Sequence, residues 1–484
     1  MTAWPRPSPR TDFGVAAPFG GPRATAAPRA RRINLFAASL GFFCFLPYPS
    51  LPVGNMSAIQ IGNVLTFFAS LGVLMVPWKR RPFFIYPVIL APLCLATFAV
   101  AVAGNADVSL CLKCVITWAV ACLAVLATQV YGPRHAADLL TGIAAATVLH
   151  AVIGAWQFYA FSQGDFPLWR LYVNPSFLSV QNNAEIIAQY IQRPFGIFPE
   201  PSAMSASLAP WVLFWFAHRC GLVRFRFEPA PWQRTLFSAA ALGGLGLIIV
   251  SRSGHAAVTL AGLLVIAFLW FVRCEASIRT YPAILLVFGV ALPLALWFGG
   301  QALADRLGGK SELGNSSWED RTNSLKIGFS LLTDGDAATA AFGLGPGISS
   351  PLIQSLAHLE AVWSISLTYV YETGLVGLLA VGWIGSFLLR TWKKMRCDLV
   401  YLTIAAVWFI GITLTTSYWQ LLPLWVALGW LTVWPEICRV PEPFRSAGGR
   451  LPGSRLPVRP RSPARARRWT SRMPPQPSPT GGTP

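Results

Sequence analysis

The sequence predicts an all-α polytopic membrane protein with about twelve transmembrane helices. Of the 484 residues, 54% are hydrophobic and only 12% are charged. The mean hydropathy of +0.52 is too high for an ordinary soluble domain. Apolar runs close to the length that crosses a bilayer recur along the chain. A β-barrel would instead show alternating apolar residues over about ten positions, so we expect helices.

Twelve segments have the length and apolar content expected of a membrane span. The first five precede a long loop, at about 34–53, 58–77, 83–103, 110–130 and 139–161. The next four lie between the two long loops, at about 203–218, 235–250, 256–272 and 281–299. The last three follow the second long loop, at about 363–389, 399–416 and 420–437.

The distribution of basic residues orients these spans. With the N-terminus inside, fourteen Lys and Arg residues fall in the short inner links. The short outer links carry Arg252 and, if it is counted with them, Lys113. An excess of Lys and Arg marks the cytoplasmic side of a membrane protein. We therefore predict that both tails are cytoplasmic and that the long loops 162–202 and 300–362 lie on the outer face.

The net charge of +19 lies mostly in the two terminal segments. Residues 1–33 carry six arginines and one aspartate, and residues 439–484 carry ten arginines and one glutamate. Both segments are rich in Pro, Gly, Ala and Ser, which predicts disordered tails at 1–33 and 438–484 around a transmembrane domain at 34–437. Basic tails beside a membrane are expected to contact anionic lipid and not nucleic acid.

The cysteines and histidines do not predict a disulfide framework or a metal site. Both long loops lack cysteine, and Cys111 and Cys114 form a lone CxxC at the start of a span. The five histidines are scattered, and no metal-binding motif such as HExxH occurs. A metal-independent protein without a cofactor is therefore the expectation.

The segment 193–202, Arg-Pro-Phe-Gly-Ile-Phe-Pro-Glu-Pro-Ser, leads from the first long loop into a span. Its three prolines keep it out of a helix, and Ser202 stands where the cap of the next helix is expected. Arg193 and Glu200 are charges at a membrane boundary, where a charge usually has a partner or a function. They either present a guanidinium and a carboxylate at the mouth of a cavity or pair with each other to fix the loop.

Two further arginines on the predicted outer face are candidate phosphate contacts. Arg252 lies in a tight turn between two spans, and Arg321 lies in the second long loop. The planar guanidinium suits phosphate because it donates paired hydrogen bonds and stays charged. The alternatives are that Arg252 extends to lipid head groups and that Arg321 pairs with Glu319 or Asp320.

Candidates for acid–base chemistry lie around the tenth span. His358 and Glu360 close the second long loop, and each is either a base or a solvated residue at a helix start. Glu372 lies inside the span, where a carboxylate is expected to face protein or a cavity. The glycine-rich segment 343–347 would allow close backbone approach, but it lacks the Lys and Ser or Thr of a phosphate-binding P-loop.

Taken in chain order, these motifs resemble the O-antigen polymerase and O-antigen ligase superfamily (Wzy/WaaL-like). The resemblance covers about residues 34–437. Its motifs are the loop 193–202, Ser-Arg-Ser-Gly at 251–254, the outer loop with Arg321 and Gly-Leu-Gly at 343–345, and Glu-Thr-Gly-Leu-Val-Gly at 372–377. The first of these motifs is the most specific.

The resemblance implies a GT-C-like glycosyltransferase of the bacterial inner membrane that uses undecaprenyl-diphosphate-linked sugars. By motif position, Arg193, Arg252 and Arg321 would bind the diphosphate, and fixed guanidinium groups stabilise such a leaving group without a metal. Glu200 is the favoured base, with His358 and Glu360 as alternatives. The implied partners are a lipid-linked oligosaccharide, membrane lipids, and the flippase and chain-length or export proteins of a polysaccharide pathway.

One departure separates the two reactions of the superfamily. Ligases are expected to carry a histidine about nine residues before the glutamate of Glu-x-Gly-x-x-Gly, but Trp363 stands there and His358 is five residues further away. This favours a polymerase, which transfers a glycan from undecaprenyl diphosphate to the next lipid-linked unit on the periplasmic face. The alternatives are ligase-like transfer to a lipid A core or protein, a twelve-span transporter, and a scaffold for export.

Overall fold

The described part of the chain is mostly helical and lies within the unit Met1–Pro441, the larger of two units in the chain. Five of its helices are long and apolar enough to cross a membrane, which indicates a multi-pass membrane protein. The computed structural model describes residues 33–46, 50–53, 56–75, 85–103, 108–165, 193–198, 200–273, 323, 325–349, 352–353, 355, 364–395, 398–414 and 421–439.

Each predicted span contains a helix except 281–299, which lies outside the described residues, and the helix Ala337–Phe342 lies instead in the predicted loop 300–362. Residues 325–333 are also helical. In chain order the helices are α1 (Leu35–Phe43), α2 (Ile61–Leu71), α3 (Tyr86–Ala103), α4 (Val108–Ser162), α5 (Pro201–Arg219), α6 (Pro231–Val250), α7 (Gly254–Arg273), α8 (Ala337–Phe342), α9 (Ile365–Lys394), α10 (Leu399–Leu414) and α11 (Leu422–Ile437).

The predicted first span, 34–53, is wrong as an uninterrupted helix. Helix α1 ends at Phe43, and strands β1 (Ser50–Val53) and β2 (Met56–Gln60) follow as an antiparallel ribbon. The sequence has prolines at positions 47, 49 and 52, and proline cannot continue a helix because it lacks the backbone N–H. The all-α prediction also fails at β3 (Arg224–Phe225) and β4 (Cys438–Arg439), which form a second short antiparallel pair.

The predicted spans 110–130 and 139–161 form the two halves of α4. Pro133 lies between them, and His135 has a non-helical backbone with φ −125° and ψ 28°. A proline removes one helical hydrogen bond and clashes with the preceding turn, so the helix breaks here.

The first half of α4 runs parallel to α11. Near their starts, the rings of Trp118 and Trp425 have centroids 5.1 Å apart. Further along both helices, Gln129 Nε2 donates a hydrogen bond to Thr432 Oγ1 at 2.8 Å.

The second half of α4 runs parallel to α6. Gln233 Nε2, near the start of α6, donates to Thr141 Oγ1 at 2.9 Å. Near the other end of the pair, Gly154 lies against Leu247.

Helix α5 shows that these two sets of helices point in opposite directions. Its start contacts the end of α6, because Ser205 Oγ lies 2.9 Å from Ser251 Oγ. Its second half packs on the second half of α11, where the rings of Phe214 and Trp434 have centroids 5.2 Å apart. Helix α5 is therefore antiparallel to α6 and parallel to α11, so α4 reverses at its break, as the two predicted spans require.

Helix α9 consists of two helices joined at Gly374, which has φ 62° and ψ −148°. Ile365 and Leu388 line one cavity, although a straight helix would hold them about 34 Å apart. The two parts of α9 therefore fold back on each other. This corrects the prediction of one uninterrupted span at 363–389, because residues 365–373 form a separate short helix.

The cavity beside α9 is apolar. It is lined by side chains of α3, α4, α9, α10 and α11. The Tyr369 hydroxyl in its wall donates to the Ile89 carbonyl at 2.9 Å. The indole N–H of Trp408 donates to the Leu424 carbonyl at 2.7 Å. Because these polar groups are already satisfied, the wall suits a hydrocarbon better than a sugar.

Candidate anion site at Arg193 and Arg252

The loop 193–200 is fastened to the end of α4 by Gln157. The carbonyl oxygen of the Gln157 side chain accepts hydrogen bonds from the backbone N–H groups of Phe195 at 3.0 Å and Gly196 at 2.8 Å. Its amide nitrogen donates to the Gly196 carbonyl at 2.9 Å. Gln157 is fully buried, so these bonds satisfy a polar group that lies in an apolar helix.

His150 fastens the same loop two helical turns earlier on α4. Its Nδ1 accepts a hydrogen bond from the Ile197 N–H at 3.1 Å, and its Nε2 lies 2.7 Å from the Phe45 carbonyl oxygen. A carbonyl only accepts, so Nε2 carries the proton and the ring is neutral. The ring also packs on Phe198, with centroids 4.7 Å apart.

Gly196 is required where the loop meets His150. Its φ of +61° lies in the left-handed region, which side chains other than glycine rarely adopt. A Cβ atom on Gly196 would meet Nδ1 of His150, so the site has no room for a side chain. The Phe-Gly-Ile segment of the motif is therefore explained by close packing of the loop on α4.

Arg193 and Arg252, predicted from sequence to act together, lie next to each other. Arg193 Nη1 donates a hydrogen bond to the Arg252 carbonyl oxygen at 3.3 Å, although the two residues are 59 positions apart. The Arg252 side chain is exposed and forms no ion pair or side-chain hydrogen bond within the described ranges. The Arg193 guanidinium thus lies against the backbone from which the Arg252 side chain extends.

The backbone of Arg252 is strained. Its φ is +48°, the one positive φ among the described non-glycine residues. A left-handed conformation costs an ordinary L-residue roughly 1–2 kcal/mol. Strained residues cluster at binding and catalytic sites, where the surrounding structure holds them in place. The strain therefore favours a functional role for Arg252 over simple contact with lipid head groups.

Buried hydroxyl groups lie beneath the Arg252 turn. Ser251 and Ser205 are both fully buried. The Ser251 hydroxyl donates to the Ile248 carbonyl at 2.6 Å, and its oxygen lies 2.9 Å from that of Ser205. Ser251 has one proton to donate, so Ser205 donates to Ser251. This contact ties the turn to the start of α5, which follows directly after the Arg193 loop.

Glu200, the favoured base, is the N-cap of α5 and is partly exposed. The helix begins at Pro201, so the prediction that Ser202 caps it is wrong. Proline is well suited to the first helical position because its fixed φ is helical and its missing N–H is not needed there. The Ser202 hydroxyl instead donates a hydrogen bond to the Glu200 carboxylate.

The three other predicted site residues, Arg321, His358 and Glu360, lie outside the described residues. The helical residues 325–333 follow Arg321 in the chain. They are docked on α9, because the Tyr371 hydroxyl donates to the Leu325 carbonyl at 3.1 Å.

The glycine-rich segment 343–347 is locked into the break in α9. The break leaves the carbonyls of Tyr371 and Glu372 without helical partners, and they accept hydrogen bonds from the N–H groups of Leu344 at 2.9 Å and Gly345 at 3.1 Å. A Cβ atom on Gly374 would meet the backbone of Gly343 and of its neighbours. The Gly-Leu-Gly motif and the Glu-Thr-Gly motif therefore pack directly against each other.

Glu372 lies in the middle of this contact and is 2% exposed. Its Oε1 accepts a hydrogen bond from the Ser349 hydroxyl at 2.7 Å. Its Oε2 is buried without a hydrogen-bond partner in the structure as described. Glu372 therefore serves at least to hold the loop against the broken helix.

The arrangement at Arg193 and Arg252 can bind an anion. The Arg193 guanidinium contacts the backbone of Arg252, so two cationic residues meet at one turn, and an anion bound there would be attracted to both. A diphosphate matches the paired donors of arginine in charge and geometry. In the part of the chain that the structure describes, no group of three or more His, Cys, Asp or Glu side chains could hold a metal ion.

His150 and Gln157 were not among the residues predicted from the sequence. The signal that marks them is their chemistry, since an imidazole and a primary amide are strongly polar groups in the mostly apolar segment 139–161. Polar side chains in a membrane helix usually face protein. Their spacing of seven residues also places both on one helix face.

The comparisons with known proteins add no relative. No protein-family model matches this chain, and no curated protein or solved structure has significant similarity to it.

Proposed function

We propose that this chain is a polysaccharide polymerase of the bacterial inner membrane. It transfers a glycan from undecaprenyl diphosphate to the next lipid-linked repeat unit on the periplasmic face. In this proposal the chain has about twelve membrane spans in a GT-C-like arrangement, with both tails in the cytoplasm. A flippase and chain-length or export proteins of the same pathway are its proposed partners.

The convergence of Arg193 and Arg252 is the observation that supports the proposal. Two loops separated by 59 positions meet through one hydrogen bond, and one of them keeps a strained backbone there. Both loops lie at the end of the bundle predicted to face the periplasm. A diphosphate group carried by a lipid reaches a membrane protein at that depth, close to the head groups.

The chemistry assigned to these residues is nucleophilic substitution at the anomeric carbon. The hydroxyl oxygen of the acceptor sugar forms a bond to this carbon, and the bond from the carbon to the diphosphate oxygen breaks. The hydroxyl proton passes to a base, for which Glu200 is the favoured candidate. The leaving diphosphate gains negative charge, which Arg193 and Arg252 stabilise.

The apolar cavity beside α9 supports the lipid-linked character of the substrate. The Tyr369 and Trp408 polar groups in its wall already have hydrogen-bond partners, so the cavity suits a hydrocarbon chain.

The proposal is tested by incubating the purified chain in nanodiscs with a lipid-linked oligosaccharide and separating the products by size. The wild type should give a ladder of products, and Arg193→Ala should abolish it while the protein remains folded. Arg234→Ala is the matched control. Arg234 lies near the opposite end of α6 from Arg252 and pairs with the exposed Glu228 at 2.7 Å, a contact that contributes little.

The same assay distinguishes the alternative functions. Transfer of one glycan to a lipid A core or to a protein, without a ladder, would indicate a ligase-like reaction. Movement of the lipid-linked substrate across the bilayer without a new glycosidic bond would indicate a transporter. Retention of long polymer in Arg193→Ala would contradict the proposed role of the arginine pair.

A further inference from the structure

We propose that Gln157 and His150 are positioning residues that hold Arg193 in place at the anion site. The effect of these two residues on catalysis rests on the proposed function. Its structural basis is the set of hydrogen bonds that joins α4 to the loop 193–200.

Gln157 fixes two consecutive residues of the loop. Its side-chain carbonyl accepts from Phe195 and Gly196, and its amide donates back to Gly196. A rotated amide would place donor against donor and break all three bonds, so one orientation is stable. An apolar residue here would remove the side-chain acceptor of two buried N–H groups and the donor to one carbonyl.

His150 fixes the next residue and extends the link to α1. It accepts from Ile197 and donates to the carbonyl of Phe45, which follows the end of α1. The backbone from Phe195 to Ile197 is thus bound to α4, and α4 is bound there to α1. Burying a histidine and a glutamine in an apolar helix is unfavourable unless these bonds form.

Pro194 transmits this fixed position to Arg193. The proline ring locks its own φ, and it restricts the residue before it to an extended conformation. Pro194 is itself buried. Little backbone freedom is left between the anchored Phe195 and Arg193, so the guanidinium group is directed to the Arg252 turn.

The first measurement is amide hydrogen exchange of a peptide covering residues 193–198, made on the full chain in nanodiscs. Gln157→Leu should speed exchange at Phe195 and Gly196 by about tenfold or more, because their acceptor is lost. Gln157→Glu keeps the size and both acceptor contacts and should exchange much more slowly than Gln157→Leu. Gln163→Leu is the matched control, since Gln163 is exposed just beyond the end of α4.

The second measurement is the affinity for inorganic pyrophosphate. Gln157→Leu should weaken binding about tenfold, and Gln157→Glu should restore most of it. In an Arg193→Ala background, Gln157→Leu should cause no further loss, because a residue that acts through Arg193 has no effect once Arg193 is removed. A purely structural role would give an additive loss. If Gln157→Leu does not fold, Gln157→Asn shortens the side chain by one methylene and provides the same test.

The results separate this inference from the proposed function. Unchanged exchange in Gln157→Leu, an additive loss, or no pyrophosphate binding by the wild type would each overturn the inference. Pyrophosphate binding that depends on Gln157 together with no glycan transfer would contradict the proposed function and leave the inference standing.

Discussion

Two glycine- and proline-containing loops, 193–200 and 343–349, are held to their neighbouring helices in opposite ways. The first is bound by side chains, because His150 and Gln157 project from the intact second half of α4 to the loop backbone. The second is bound by backbone, because the break at Gly374 releases two carbonyls that accept from Leu344 and Gly345. The first loop therefore depends on polar side chains of α4, whereas the second depends mainly on backbone groups released at Gly374, with the Ser349–Glu372 hydrogen bond as an additional link.

The largest effect is expected at the helix break. Gly374→Ala should destabilise the protein by on the order of 3 kcal/mol, because φ 62° with ψ −148° is nearly exclusive to glycine and the added Cβ meets Gly343 and Ala341. The midpoint of thermal unfolding in detergent measures this. Gly382→Ala, in open space on the same helix, should be neutral or stabilising. An equal shift in unfolding midpoint for Gly374→Ala and Gly382→Ala would contradict this explanation of the break in α9.

A smaller effect is expected in the first loop. Gly196→Ala should cost about 2 kcal/mol, since its Cβ meets His150 Nδ1 in addition to the strain of a positive φ. Gly164→Ala, with φ +79° and nothing within 4 Å of its Cβ, isolates the strain and should cost about 1 kcal/mol. The difference in unfolding midpoint between the variants reports the His150 contact, and no difference would argue against it.

An effect smaller than those of Gly374→Ala and Gly196→Ala is expected at Ser349. Ser349→Ala removes the hydrogen bond to Glu372 Oε1 and should cost about 1.5 kcal/mol, because a buried carboxyl then loses a donor. The double variant with Glu372→Ala should cost less than the sum of the two single variants, since they share one contact. Additive losses in unfolding free energy would mean that this bond does not link the second loop to α9.

Much of the helix arrangement was predictable from the sequence, because apolar runs near the length of a span are a strong signal. The reversal in α4 is an example, since Pro133 and Arg134 separate two apolar runs. The early end of α1 and the fold-back of α9 were not predicted. Both depend on local breaks in a helix. The chain has 41 glycines, and the residue type alone does not show that Gly374 is the one at which a helix breaks.

The site was predicted in part. Topology placed Arg193 and Arg252 at the same end of the bundle, and the structure joins them directly. Gln157 and His150 contact loop residues that lie 38 to 47 positions away in the sequence. Sequence periodicity does not predict contacts between residues so far apart. The sequence places the cap of α5 two positions too late, because proline usually stops a helix but is favoured at its first position.

In the proposed mechanism, Arg193 and Arg252 hold the diphosphate of a lipid-linked glycan during polymerisation. The most direct measurement is the length distribution of glycan formed from a purified lipid-linked oligosaccharide by the wild type, Arg252→Ala and Arg234→Ala in nanodiscs. We predict a ladder for the wild type and for Arg234→Ala, and no products longer than the starting unit for Arg252→Ala. A full ladder from Arg252→Ala, or none from the wild type, would contradict the account.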